Sequence, residues 1–310
     1  MRRDHSREGS LNVTLDAVRL LSWKIPDKVQ MLSRRDVAFY ALSVGVGRDP
    51  ADRSQLRYVD PDAAGLTALP AMVLVLGYPG FWLGDPELGL DAGRILHVEQ
   101  SFEIFGHVPV EGRVAGRTRV LDVVDRGAEK GAYLYSERLV SDENGRVFAR
   151  LLQTHLLRGY GGYSGVLQSS RAAARQSLPS GEAAAIVDSD IRPEQALFYR
   201  LNGDMNPLHS DSAVARSAGF PAPIMHGMCT FGVVAKALID SLCHEPGERL
   251  VSMSARFTGP LYPGERLRTE IWADGSFRAL TLERNATVLG QGRAMTAAGN
   301  NQAMAEHHVV

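Results

Sequence analysis

The chain is poor in cysteine, with only Cys229 and Cys243 among 310 residues. Two thiols cannot staple a disulfide framework, so both are expected to be reduced, with Cys229 a small buried hydrophobe. Charge of either sign is equally scarce as a signal. Lysine and arginine total 34 against 35 acidic residues, a formal net charge of −1. That balance offers no field to attract nucleic acid or an anionic membrane. No apolar run reaches the ~18 residues of a spanning helix. The nine histidines form no H-E-x-x-H pair and no Cys/His spacing for zinc, so no metal is expected. Gly159-Tyr-Gly-Gly-Tyr-Ser-Gly165 misses the spacing of a dinucleotide loop, and Ser164 lacks the frame of a hydrolase elbow. The charged start is not followed by an apolar secretion segment, and the last residues carry no Ser-Lys-Leu address. The default expectation is therefore a cytoplasmic protein.

What is there describes a globular chain, 45% hydrophobic and 22% charged, long enough for two domains. Residues 1–30 carry little pattern and are expected to form an arm. Strand patterns begin at Ile95-Leu-His-Val and recur after Gly112, Gly131 and Arg146. Asp142-Glu-Asn-Gly145 is the turn of a hairpin. The Gly-, Ser- and Ala-rich stretch 161–189 reads as a linker. Four further strand candidates lie at 249–257, 265–273, 278–284 and 287–296. Ahead of each strand set stands an apolar segment led by proline. Leu69-Pro-Ala-Met-Val-Leu-Val-Leu-Gly77 reads as a buried helix with Pro70 in its first turn, and the second such helix runs over about 225–242. Pro223 follows Pro70 by 153 residues and Pro260 follows Pro109 by 151, which argues for a degenerate internal repeat. The boundaries are then 31–160 for the first repeat, 190–299 for the second and 300–310 for a tail.

The densest chemistry lies in Tyr199-Arg-Leu-Asn-Gly-Asp-Met-Asn-Pro-Leu-His209. Pro207 disfavours helix at Asn206, so this is a bent loop on which Asp204, Asn206 and His209 can converge. A lone Asp and His beside a proline turn are more often a capping pair. No matching trio precedes Pro70, so one site per chain is expected.

With Ala-Gly-Phe220, Pro223-Ile-Met-His-Gly-Met228, Ala255-Arg-Phe-Thr-Gly-Pro-Leu-Tyr-Pro-Gly264 and Tyr40-Ala-Leu-Ser-Val-Gly-Val-Gly47, that loop resembles the hydratase 2 motif of the MaoC-like family, over roughly residues 31–299. The resemblance implies an α+β double hot-dog fold: two antiparallel sheets, each wrapped on a central helix, packed as a pseudo-dimer in one chain. It implies an (R)-specific 2-enoyl-CoA hydratase, equally a 3-hydroxyacyl-CoA dehydratase, acting on fatty or other bulky acyl-CoA thioesters as a homodimer. No cofactor is needed, since coenzyme A belongs to the substrate. Asp204 and His209 would share one water, Asn206 would orient it, and Gly227 would offer an oxyanion donor free of any side chain. Which of Asp204 and His209 is acid and which base stays open. His226 is expected to pack structurally beneath the helix start, and Tyr199 and Tyr262 to line core or pocket. Met72, Leu76 and Gly77 of the first repeat are tentative walls of an acyl pocket. The rival readings are an acyl-CoA thioesterase and a non-catalytic acyl-CoA-binding protein of the same fold.

Overall fold

In the computed structural model the described residues are 15–49, 51–164, 178–245 and 247–298. The chain runs α1 (Ala17–Leu21), β1 (Lys28–Leu32), α2 (Arg34–Ser43), α3 (Arg53–Val59), then β2 (Ile95–Ile104), β3 (Gly112–Asp125), β4 (Ala132–Ser141) and β5 (Val147–Leu157). The second half runs β6 (Ala185–Asp190), α4 (Gln195–Tyr199), α5 (Ser212–Ser217), α6 (Gly227–Leu242), β7 (Arg249–Phe257), β8 (Arg266–Ile271), β9 (Ser276–Thr281) and β10 (Ala286–Ala297).

All ten strands join one antiparallel sheet, in the order β1-β3-β4-β5-β2-β7-β10-β9-β8-β6. Moving each first-half strand on by five positions turns 1-3-4-5-2 into 6-8-9-10-7, the order of the second half read from the opposite edge. The internal repeat is therefore a pseudo-twofold, and its axis passes between the equivalent strands β2 and β7, where Ser101 faces Ser254. This is the double hot-dog architecture, with one correction: the two sheets expected from the sequence are one, because β2 and β7 hydrogen-bond across the seam. Two-layer packing then follows, with α6 laid on the sheet so that each buries the apolar face of the other.

Helix α6 is apolar nearly all round. Phe231, Val234 and Leu238 are fully buried, and Gly232 admits α2 so closely that an added Cβ would sit 2.7 Å from Val44 Cγ1. A helix covered on both faces needs no polar stripe.

Three expectations are corrected. The first concerns the arm. Residues 15–30 are ordered: Leu15, Leu20 and Ile25 enter a second core with Leu83, Val123 and Leu134, and β1 pairs with β3 as the edge strand. Period-2 apolar alternation is weak in this segment, so its order depends on the core it enters. The second concerns the linker, which contains β6; its alternating exposure belongs to an edge strand, where only one face is covered. The centre of the linker, residues 165–177, the tail and residues 1–14 lie outside the described residues. The third concerns the Pro70 helix. Only a five-residue 3₁₀ turn forms, Pro70–Leu74. Gly77 at φ +57 and Pro79 close off helical propagation, and the Arg138 guanidinium takes the Leu74 carbonyl at 2.6 Å.

Candidate active site

The motif loop is shaped by its own polar side chains. Gly203, at φ +116, ends the 3₁₀ turn Arg200–Asn202 that continues α4. Asp204 Oδ1 accepts the Asn206 N–H at 3.2 Å, and Asn206 Oδ1 accepts the Leu208 N–H at 3.0 Å. The second bond caps another 3₁₀ turn, Pro207–His209, in which proline occupies the first position, where a missing N–H costs nothing. This turn carries His209 back towards Asp204.

His209 Nδ1 lies 2.8 Å from the Ile224 carbonyl oxygen. A carbonyl can only accept, so Nδ1 carries the proton and the neutral ring keeps its lone pair at Nε2. Burial, the largest influence, lowers the His209 pKa, with Arg200 acting in the same direction, while the Ile224 carbonyl and Asp204 pull it up. The ring is stacked on His226, with centroids 3.7 Å apart. His226 is 1% exposed and stands immediately before α6. Its Nε2–H donates to the backbone oxygen of Asp204 at 3.1 Å. Burial first, then His209, pushes its pKa down to about 3, and its Nδ1 is buried without a partner. Beneath it lie Tyr199, at 5.1 Å, and behind that Tyr40.

The polar atoms of Asp204, His209 and His226 thus converge within 4.8 Å of one another. Two hydrogen bonds of ~2.8 Å meeting at the tetrahedral angle of a water span ~4.6 Å. Groups no farther apart than this can both reach one water. Beside it begins α6, whose first-turn N–H groups, from Gly227 onward, receive no side-chain cap. An uncapped helix start presents free donors and the positive end of the dipole to whatever develops negative charge there.

The residues read from the sequence are distributed as follows. Asp204 and His209 meet. Asn206 is exposed, with its oxygen committed to the cap, so its amide N–H₂ is the part left for a water. Gly227 leads α6, and its missing Cβ also serves packing. An added Cβ would lie 3.0 Å from Phe257 Cε1, so the glycine makes room for that ring. Tyr199 is core, and Tyr262 is half-buried under the Arg284 guanidinium. Met72 and Leu76, 2% and 0% exposed, belong to the principal core. Gly77 does not fit a pocket wall: its Cβ direction is filled by the backbone of Gly116 on β3. His226 is buried at the helix start in the structural role expected, and it also holds the Asp204 backbone. The signal for it was present in a histidine placed directly before the glycine that starts a helix.

Comparison with known proteins bears on this geometry. The description "MFE-2 hydratase 2 N-terminal domain" matches residues 31–159, and "MaoC like domain" matches residues 175–289. The peroxisomal enoyl-CoA hydratase 2 of Arabidopsis thaliana is 34% identical over 296 residues, covering 87% of this chain and 92% of the relative. The chain belongs to the MaoC-like hydratase 2 family. Another family relative, 3-hydroxyacyl-thioester dehydratase Y of Mycobacterium tuberculosis, is 36% identical over 250 residues, 79% of this chain and 83% of its own. Among solved structures, a MaoC-like dehydratase from Phytophthora capsici superimposes with a TM-score of 0.78 at 29% identity, covering 91% of this chain and 98% of that one. The two matched ranges of this hydratase 2 chain fall one on each half of the sheet, the first leaving out the start of β1 and the second the greater part of β10.

Proposed function

We propose that this chain adds water across the C2–C3 double bond of 2-enoyl-CoA thioesters and removes it from 3-hydroxyacyl-CoA in the reverse direction. The observation that carries the reading is the convergence of the Asp204 and His209 polar atoms within 4.8 Å, beside the uncapped start of α6. Neutral His209 turns the Nε2 lone pair to the water. The Asp204–His209 pair takes one proton as the water oxygen bonds to C3 and returns one proton to C2. Water and alkene are thereby fully accounted for, and the pair titrates as a unit. Negative charge gathers on the thioester oxygen between these steps, where the Gly227 N–H stabilises it. The Asn206 amide orients the water. No metal or redox group enters such a step, and coenzyme A arrives with the substrate.

Delivery and return of protons by one pair places both additions on one face of the alkene, and the family predicts the (R)-3-hydroxyacyl product. The first half has no second trio. We assign it to the acyl group, with Met72 and Leu76 as the candidate wall, and we place the protein in the cytoplasm as a homodimer. Among the described residues no helix is long and apolar enough to cross a membrane.

The test follows crotonyl-CoA by loss of enone absorbance, by release of free thiol and by coupling to dehydrogenases of known hand. Asp204→Asn and His209→Ala should each lower kcat by ~10²–10⁴-fold, and the double variant should be little worse than either single one. Thiol release in place of enone loss would point to a thioesterase. An (S) product, or near wild-type turnover by either variant, would sink the assignment.

A further inference from the structure

The inner face of the first half is not apolar throughout. Arg138 on β4 pairs with Leu151 on β5, Leu151 pairs with Phe102 on β2, and the Phe102 ring meets Phe231 of α6 at 6.1 Å. Arg138 therefore sits on the side of the sheet that faces the helix. Thr118 on β3 is opposite Arg138, Ser136 is opposite Gln153, and His155 is opposite His97. Paired residues, and those two apart on a strand, share a face, so a polar strip crosses four strands here. To one side of it Val140 and Leu151 belong to the principal core; to the other, Leu134 and Leu157 belong to the second. Four members of the strip are at least nine-tenths buried, and each keeps an atom without a partner: Thr118 Oγ1, Ser136 Oγ, Arg138 Nε and His155 Nδ1. The Arg138 guanidinium donates to Leu74 O at 2.6 Å and lies 5.3 Å from the Tyr78 ring centroid, but among the described residues no carboxylate stands within ion-pair distance of it. Buried polar atoms are paired almost without exception, so four neighbouring orphans call for a ligand.

A chain of contacts joins the strip to the active site. His155 is stacked on His97 at 4.8 Å, His97 meets the Phe257 ring at 5.1 Å, and Phe257 fills the space beside Gly227 at the start of α6. Gln153, His97 and Phe257 are only half-buried, although Leu151, Phe102 and Met253 beside them are enclosed. Packing therefore leaves the route along them open. From Phe257 on β7 to Ser136 on β4 is three strand spacings, about 14 Å, the reach of about ten carbons of extended chain. We propose that the strip binds an oxygen carried by the acyl group, so that 2-enoyl-CoA substrates with a hydroxyl or carboxylate near the end of a medium-length chain are preferred over their alkyl counterparts. The Arg138 Nε–H and the Ser136 and Thr118 hydroxyls are donors for such an oxygen, and the His155 ring, which burial keeps neutral, can accept from a hydroxyl. An alkyl end would leave all four groups unpaired, which is how a polar pocket rejects an apolar ligand.

The inference rests on the hydratase reading and names its substrate class. Hydration of trans-2-dodecenoyl-CoA is compared with that of its ω-hydroxy derivative and of the ω-carboxylate of the same length. One of the oxygenated substrates should exceed the alkyl one in kcat/KM by about 10- to 100-fold, and the better of the two identifies the oxygen. Ser136→Ala combined with Thr118→Val removes two of the donors at nearly constant volume. It should cut that ratio by about 10-fold, and the ratio cancels any loss common to both substrates. The melting temperature of this variant should not fall, because the hydroxyls it removes are unpaired. An oxygenated-to-alkyl ratio within twofold of unity, or one that the double variant leaves unchanged, would overturn the proposal. Calorimetric binding of dodecanoyl-CoA and its ω-hydroxy and ω-carboxylate forms reads the same preference without turnover. Crotonyl-CoA hydration with no preference in either measurement sinks this inference alone. Absence of crotonyl-CoA hydration sinks the hydratase reading, and the binding measurement still decides the strip.

Discussion

Acid should destabilise this protein before its carboxylates titrate, because its interior holds neutral histidines. Burial pushes His97 down to about 4 and His226 down to about 3, and it also holds His155 well below the ordinary value. His97 and His155 are stacked cross-strand partners on β2 and β5, with centroids 4.8 Å apart, and His97 leans on Phe257, the ring beside Gly227. Between pH 7 and pH 5 each of these imidazoles takes up a proton in the unfolded chain, where its pKa is ~6.5, and stays neutral in the folded one. The unfolded state binds more protons, so stability rises with pH through this window and is lost as pH falls below ~6.5. Integrated from pH 7 to pH 5, His97 and His226 each account for about 2 kcal/mol, and about 4 kcal/mol together. At ~2–4 °C per kcal/mol, the melting temperature should drop by about 8–16 °C. Asp125, whose carboxylate is held far below the usual range by hydrogen bonds from Gly162, Ser164 and Gly127, acts only below ~4 and does not confuse the window. Melting curves and urea midpoints at pH 7 and 5 measure the effect. His155→Phe, which preserves a stacked ring, should make the slope shallower. A melting temperature that moved by less than about 3 °C would refute the reasoning.

Two further outcomes are expected. Gly77→Ala places a Cβ at positive φ into the Gly116 backbone, where no side chain can yield; it should cost more than ~3 kcal/mol, and a soluble variant with the native melting temperature would contradict the described crossing. Asp125→Asn leaves a single acceptor oxygen for the Gly127, Gly162 and Ser164 N–H groups. It should cost about 2 kcal/mol and expose residues 159–164 to limited proteolysis, while crotonyl-CoA turnover stays within about twofold.

Local rules made much of this protein legible in its residues. Asp142-Glu-Asn-Gly145 does close the β4–β5 hairpin, through the Gly145 N–H to Asp142 O bond at 3.0 Å, because turn chemistry is contained within four residues. Strand β7 occupies 249–257 as its alternation indicates, and the paired prolines reveal a repeat that strand order confirms. Asp204, Asn206 and His209 were readable as a group because one short loop carries them all. Long-range geometry decided the rest. Whether a proline-led apolar run becomes a 16-residue helix, as in α6, or a five-residue turn, as at Pro70, depends on Gly77 meeting Gly116 and on an arginine reaching across from β4. Edge strands β1 and β6 are set by the partners they find, since half-covered strands have little apolar pattern of their own. His226 comes to Asp204 from 22 residues downstream. No sequence spacing records such a meeting: hydrogen bonds and ring contacts between distant segments are made only when the sheet closes at β2 and β7.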